Sequence, residues 1–265
     1  MWDPSTYLRY GDERSRPFHD LLARVPAERP RAVVDLGCGP GTLTATLADR
    51  WPGSRISGLD SSAEMIDRAR ALTRAEPISF TVGDVRAWRP EPDLDVLICN
   101  AVLQWVPGHR ELLTRWAAEL PAGAWLACQV PGNFDAPSHR ALREVAARPR
   151  WAATVAPLLR AAPVADPVGY AALLTEAGCA VDAWETTYLH LLPATGADHP
   201  VLAWMEGTAL RPVRAALDAG DWSDFRAELG AALTESYPVR QGRVYFPFRR
   251  IFVVARTGAR AEENP

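Results

Sequence analysis

V-V-D-L-G-C-G-P-G, from Val33 to Gly41, is the stretch whose reading decides how this chain folds. Val33 and Val34 belong to a short apolar run that ends in an acid, Asp35. Gly37, Gly39 and Gly41 follow at every second position, ahead of a helix-like run from Thr42 to Arg50. That order reads as strand, tight turn, helix. Gly37 and Gly39 remove Cβ atoms where backbone turns with unusual φ or comes close to a ligand, and Gly41 lets the helix pack near the strand. Such a turn is a ligand cradle. Its spacing, G-x-G-x-G, misses the G-x-G-x-x-G with which the dinucleotide fold seats a pyrophosphate on a helix N-terminus. Asp35, just ahead of the glycines, would repel a phosphate and attract an ammonium or sulfonium. The cradle therefore prefers a cation.

Composition narrows the class. The 265 residues suffice for one α/β domain with a sizeable core, or a domain plus an inserted cap. Hydrophobic residues at 48% and charged residues at 23% are the balance of a soluble globular protein. A net charge of -3 supplies no field for nucleic acid, which is not expected as a partner. All 29 basic residues are Arg, so any single Arg is a weak signal. Cys38, Cys99, Cys128 and Cys179 form no C-x-x-C pair and read as reduced thiols. No His and carboxylate cluster has metal-ligand spacing, so no metal is expected. The N-terminus shows neither a basic n-region nor an apolar h-region, and no apolar run reaches membrane length. The expectation is a cytoplasmic protein with no membrane partner. It is expected to be a monomer, since no dimerisation stripe is visible.

The elements around the cradle follow in order. Ahead of it, Trp2, Tyr7 and Tyr10 interleave with Arg9, Arg14 and Arg16, and a helical stretch runs from about Pro17 to Arg24. This reads either as a lid, about residues 1–30, or as an amphipathic helix on the sheet edge. Arg55 to Leu59 is a second strand ending at Asp60, where an acid is placed to hydrogen-bond both hydroxyls of a ribose. Ser61 to Glu64 reads as a capping box for a helix from about Ser62 to Ala71. Ile78 to Val82, Leu94 to Cys99 and Gly123 to Val130 are three more strands, and His109 to Leu120 is a helix. The alternation predicts a parallel doubly wound α/β sheet with ligands at the carboxyl ends of its strands, where Asp84 and Asn100 fall. Helical cap pieces are expected over about 134–166 and 197–237, the latter broken near Pro212 and Gly220. A helix over Pro167 to Ala177 and strands over Val181 to Leu192 and Arg250 to Arg256 complete the chain.

D-x-G-x-G-x-G at the end of a first strand resembles motif I of the class I methyltransferases, which bind S-adenosylmethionine, a ligand with both an α-ammonium and a sulfonium. More particularly, the chain resembles the bacterial trans-aconitate 2-methyltransferase family along nearly its full length. The matching stretches are W-D-P-S-x-Y at Trp2 to Tyr7, E-R-S-R-P at Glu13 to Pro17, D-L-G-C-G-P-G at Asp35 to Gly41, and L-D-S-S at Leu59 to Ser62. They continue with L-Q-W at Leu103 to Trp105, E-A-G-C at Glu176 to Cys179, T-T-Y-x-H at Thr186 to His190 and L-R-P at Leu210 to Pro212. The regions from about Asp135 to Asp166 and from Ala194 to His199 depart from the family pattern.

The resemblance implies a seven-stranded, mostly parallel, Rossmann-like sheet in a single class I methyltransferase domain, 1–265, whose last strand inserts antiparallel. It implies S-adenosylmethionine as cofactor and methyl esterification of a small tricarboxylic acid. The implied donor site is Asp35, Gly37, Cys38, Gly39 and Gly41, then Asp60, Ser61 and Met65, then Asp84 and Val85, then Asn100 and Ala101. Gln104 and Trp105 are the implied positioning residues, with no general base, because a carboxylic acid is already ionised at neutral pH. Arg14 and Arg211 are the implied carboxylate-binding forks, and Tyr7, Tyr10, Gln104, Trp105, Tyr188 and His190 the lining. Rival readings are another carboxylate methyltransferase, such as the malonyl-carrier-protein family, and a non-catalytic S-adenosylmethionine-binding module. A nucleotide-linked dehydrogenase is disfavoured by the glycine spacing and Asp35.

Overall fold

The computed structural model describes residues 11–72, 78–160 and 163–258, with only the backbone described for 11–14. In chain order the elements are α1 (Gly11–Leu22), β1 (Ala32–Leu36), α2 (Thr42–Arg50), β2 (Arg55–Asp60), α3 (Ala63–Leu72), β3 (Ile78–Val82), β4 (Leu94–Asn100) and α4 (His109–Glu119). β5 (Trp125–Pro131), α5 (Pro137–Ala146), α6 (Pro167–Glu176), β6 (Cys179–Pro193), α7 (Pro200–Glu206), α8 (Arg211–Ala216), α9 (Ala219–Ser236) and β7 (Arg243–Thr257) follow. Short 3-10 turns occupy Leu103–Trp105 and Ala156–Leu158.

The strands form a seven-stranded sheet in the order β3-β2-β1-β4-β5-β7-β6. β1 pairs parallel with β2 and with β4, β4 parallel with β5, and β7 antiparallel with β5. The order reverses at β1, which lies between β2 and β4, and open α/β sheets bind ligands at such a switch point. β1 and β4 are apolar almost throughout because helices cover both faces of a parallel sheet, so both side-chain rows are buried.

The described residues fall into two compact units. The first takes 14–72, 78–131, 164–185 and 250–258. Its core joins Leu36, Leu97, Leu113, Trp116, Leu126 and Leu174, and Trp116 meets Trp88 edge-on at 5.9 Å. Arg50 donates from Nη2 to the carbonyls of Leu22 and Val25, which supplies donors at the end of α1 where the helix has none of its own. The second unit takes 11–13, 132–160, 163 and 186–249. There α5 packs on α9, and Trp151, Trp204, Phe225 and Phe246 are its largest buried rings. Along β6, Tyr188, His190 and Leu192 are buried while Leu189 and Leu191 are exposed, the period of two that a strand imposes.

Three boundaries differ from the sequence expectation, each for a local reason. Pro17 lies inside α1 rather than starting it; the buried Phe18, Leu21 and Leu22 hold the helix across the missing N–H. The helix after β2 is capped by Ser62, not by a Ser61–Glu64 box: Ser62 Oγ accepts from Met65 N at 3.4 Å, and Glu64 instead meets Arg68. β7 begins seven residues earlier than Arg250, running on past the last residue that β5 pairs, so that Pro247 within it costs no β5 bond. The helix breaks expected near Pro212 and Gly220 fall just before them, between α7 and α8 and between α8 and α9, with Pro212 in the first turn of α8, where its missing N–H is harmless.

Gly41 shows how tightly the turn is built. Its φ is 76°, and a Cβ there would lie 2.7 Å from Ala69 Cβ and 2.9 Å from Phe80 Cζ, so it admits α3 and β3 rather than its own strand. A Cβ on Gly39, with φ 56°, would meet nothing within 4 Å. Gly41→Ala should therefore cost about 2–4 kcal/mol, from backbone strain plus overpacking, and Gly39→Ala about 1 kcal/mol, from strain alone. Urea unfolding of the two variants checks this, and equal losses would contradict the packing account.

Candidate functional site

The cradle is assembled by hydrogen bonds from three strand ends. Gly37 N and Cys38 N both donate to Leu59 O, at 2.7 and 3.1 Å, tying the turn to the end of β2. Gly39 N donates to Asp60 Oδ2 at 2.9 Å, while Asp60 Oδ1 accepts from Ser62 N, also at 2.9 Å. One carboxylate thus joins the glycine turn to the start of α3. Gly83 N donates to Asp60 O at 2.9 Å, which brings the end of β3 to the same place. A Cβ on Gly37 would lie 2.6 Å from Val102, so the loop after β4 closes against the turn as well.

Asp35, at the end of β1, is 3% exposed, and its Oδ2 accepts from Thr44 Oγ1 at 2.6 Å. Burial pushes its carboxyl up from the ordinary 3.8 to about 6; the Thr44 hydroxyl opposes this and the Asp60 charge adds to it. Burial likewise pushes the Cys38 thiol upward, with Asp35 and Asp60 adding, so Cys38 is a packing group and not a thiolate. Ser61 is exposed and Met65 half-buried at the start of α3.

Asp84 and Val85 follow β3. Val85 is buried, and the Asp84 carboxylate is gripped by Arg86, whose Nε lies 2.9 Å from Oδ2 and whose N donates to Oδ1 at 2.8 Å. The Arg86 hydrogen bonds hold Asp84 below the usual carboxylate range. Past β4, Ala101 has a left-handed φ of 56°, a strained conformation for alanine. Two bonds maintain it: Ala101 N donates to Gln129 O at 2.9 Å, and Ala101 O accepts from Gln104 Nε2 at 2.5 Å. Asn100 Oδ1 is buried with no hydrogen-bond partner among the described residues. Its register partner on β5 is Gln129, fully buried, whose Oε1 lies 3.5 Å from Arg250 Nη1.

The acceptor candidates are less concentrated. Gln104 is buried, whereas Trp105 is 46% exposed, a large apolar face left in solvent. Tyr188, His190 and Arg211 belong to the second unit. His190 is stacked on Trp204 at 4.7 Å and lies 5.7 Å from Phe248, inside that unit's aromatic core. Arg211 is exposed at the first residue of α8 and has no ion-pair partner among the described residues. Tyr7 and Tyr10 lie outside the described residues, as does the side chain of Arg14. Sequence reasoning missed Thr44 and Gln129. Thr44 carries no motif, and Gln129 reads as one polar residue in a buried strand, an anomaly that is itself the only signal.

The raised Asp35 has a consequence for stability. Between about pH 4 and pH 6 the folded chain holds a proton here that the unfolded chain has released, so stability falls as pH rises through that window and is level above it. The ionised carboxylate costs the ligand-free fold on the order of 2–3 kcal/mol at pH 7. Asp35→Asn should therefore melt higher than the parent at pH 7, with the gap closing toward pH 4. Thermal unfolding of both proteins across that range checks it, and a gap independent of pH would refute the assignment.

Comparison with known proteins follows the same lines. A family model described as a methyltransferase domain matches residues 33–123, which spans the cradle, β2, β3, β4 and α4. A trans-aconitate 2-methyltransferase of Mycobacterium sp. (strain KMS) is 58% identical over 265 residues, covering 97% of this chain and all of that one. One of Rhodococcus jostii (strain RHA1) is 56% identical over 259 residues, covering 97% and 99%. Among solved structures, the YcgJ protein of Bacillus subtilis superposes with a TM-score of 0.56 at 13% identity, covering 91% of this chain and 99% of that one, and shares the fold. Cradle, switch point and antiparallel last strand thus agree with full-length likeness, and the chain belongs to the trans-aconitate 2-methyltransferase family, within the class I methyltransferases.

Proposed function

We propose that this chain is an S-adenosylmethionine-dependent O-methyltransferase that esterifies one carboxylate of a small tricarboxylic acid, trans-aconitate first, leaving S-adenosylhomocysteine. The observation that carries the reading is Asp35, a carboxylate buried at the foot of an open glycine turn, where an anionic cofactor would be repelled and a cationic one held. The relatives' shared name supplies the acceptor.

The residues fit the cofactor. Gly39 leaves open space where a side chain would stand, and the orphaned Asn100 Oδ1 is an acceptor for an ammonium donor. Asp35 would face the cationic portion, Asp60 the ribose, with Gly37, Cys38, Gly39 and Gly41 beneath and Ser61, Met65, Asp84, Val85 and Ala101 flanking. When bound, S-adenosylmethionine supplies a methyl carbon activated by the sulfonium. The acceptor arrives ionised, so no side chain has to remove a proton. What the protein contributes is orientation and exclusion of water, because a carboxylate must shed hydration to attack. Gln104 and Trp105 take the positioning role, Gln104 held by Ala101 O. Arg14 and Arg211 take the carboxylates that do not react, and the lid over 1–30 and the helical pieces over 134–166 and 197–237 take the exclusion of water. Tyr188 and His190 shape the interior of the second unit. The substrate is a free acid rather than a nucleic acid or lipid, and the working form is a cytoplasmic monomer; among the described residues no helix is long and apolar enough to cross a membrane.

Incubation with methyl-labelled S-adenosylmethionine and a panel of di- and tricarboxylic acids tests this. Base-labile label should pass to trans-aconitate well above the others; donor binding without transfer to any free acid would end the small-acid reading and turn attention to carrier-bound carboxylates. Arg211→Gln should raise the KM for the acid about 10-fold or more, the loss of one charge-assisted fork, with donor affinity unchanged. A parallel loss of donor affinity would remove Arg211 from the acceptor site.

A further inference from the structure

Thr44 is the residue of the cradle to which no role has been assigned. It lies in the first turn of α2, fully buried, and its hydroxyl is the side-chain donor to Asp35 among the described residues, at 2.6 Å. A carboxylate removed from water needs such a donor to stay ionised. The charged and titratable groups that face Asp35 do not help it. Asp60, from β2, is an anion that disfavours a second negative charge. Cys38, in the turn, and Cys99, on β4, are both driven toward the neutral thiol by burial. The Thr44 hydroxyl is what opposes burial and the Asp60 charge at this carboxylate.

We propose that Thr44 is a positioning residue for donor binding: by holding the Asp35 carboxylate it sets the pH below which the cradle ceases to take a cationic ligand. The inference rests on the reading of Asp35 as the acid that faces the cation of S-adenosylmethionine. It adds that donor binding is linked to protons. With Asp35 titrating at about 6 in the free protein, a bound cation favours its ionised form, so binding near pH 6 releases a proton and binding at pH 8 releases none from this group. Threonine suits the position because its methyl fills a buried site while its hydroxyl donates. Valine keeps the shape and loses the donor, and serine keeps the donor.

The test is calorimetric titration of S-adenosylmethionine into the parent, Thr44→Val and Thr44→Ser across pH 5–9; the ligand's own titration is common to all three. Parent and Thr44→Ser should share a fall in affinity centred near pH 6. For Thr44→Val the centre should move up by about one to two pH units, the equivalent of one hydrogen bond to a charged group, with affinity recovering toward the parent's at high pH. A Thr44→Val loss that is equal at every pH, or an unmoved centre, would reduce Thr44 to a packing residue and overturn the proposal. If Thr44→Val does not fold, titrating the parent at pH 6 in buffers of different ionisation heat decides instead: about half a proton released is expected there, where the ligand's own ammonium is fully protonated, and no release refutes the linkage. A parent that binds no S-adenosylmethionine at any pH would fail the cofactor reading itself, whereas a parent that binds and methylates with an unmoved Thr44→Val centre fails only this inference.

Discussion

The site depends on one carboxylate that satisfies two backbone donors at once. A glycine turn leaves N–H groups pointing outward, and the first turn of a helix does the same; neither can stay unpaired where water is scarce. Asp60 meets one from each, Gly39 N and Ser62 N, and its own carbonyl takes Gly83 N from the end of β3. Three separate segments are thereby fixed about a single residue at the end of β2. The parallel sheet makes this achievable, since β1, β2 and β3 run in register and their carboxyl ends arrive side by side.

The charge arrangement in this small volume works against the fold and for the ligand. Two acids, Asp35 and Asp60, share the cradle, and Asp35 is buried there. Among ligand-free states the neutral form of Asp35 is favoured more than in an ordinary aspartate, which is a destabilising arrangement at neutral pH. Such an arrangement is characteristic of a functional site, where stability is given up so that a charged partner completes the balance. The strained Ala101 is a second instance. It turns the chain sharply after β4, held by Gln129 and Gln104, between the buried Asn100 Oδ1 and the exposed Trp105.

The first half of the chain was legible because its signals are local. Alternation of apolar runs with glycine and acid punctuation located β1 to β5 within a residue or two, and Gly37 and Gly39 adopt the left-handed φ expected of them, as Gly41, expected only to ease packing, does too. The misreadings arise where a local signal has two meanings. Pro17 looks like a helix boundary, yet it lies within α1, because burial of Phe18, Leu21 and Leu22 offsets the lost N–H. The Ser61–Glu64 pattern and the observed Ser62 cap differ by one position, which no propensity resolves.

By itself, the sequence determined the fold class, the cradle and the cationic character of its ligand, since strand period, glycine spacing and a neighbouring acid are properties of contiguous residues. Only the tertiary structure decided that Thr44 holds Asp35, that Gln129 stands beside Asn100, that Arg86 occupies Asp84, and that His190 is stacked within an aromatic core. The physical reason is the same in the cases that mattered most. A buried polar group is defined by its partner, and Thr44, Asn100 and His190 find theirs, or lack one, through strand register and helix packing that no single segment encodes.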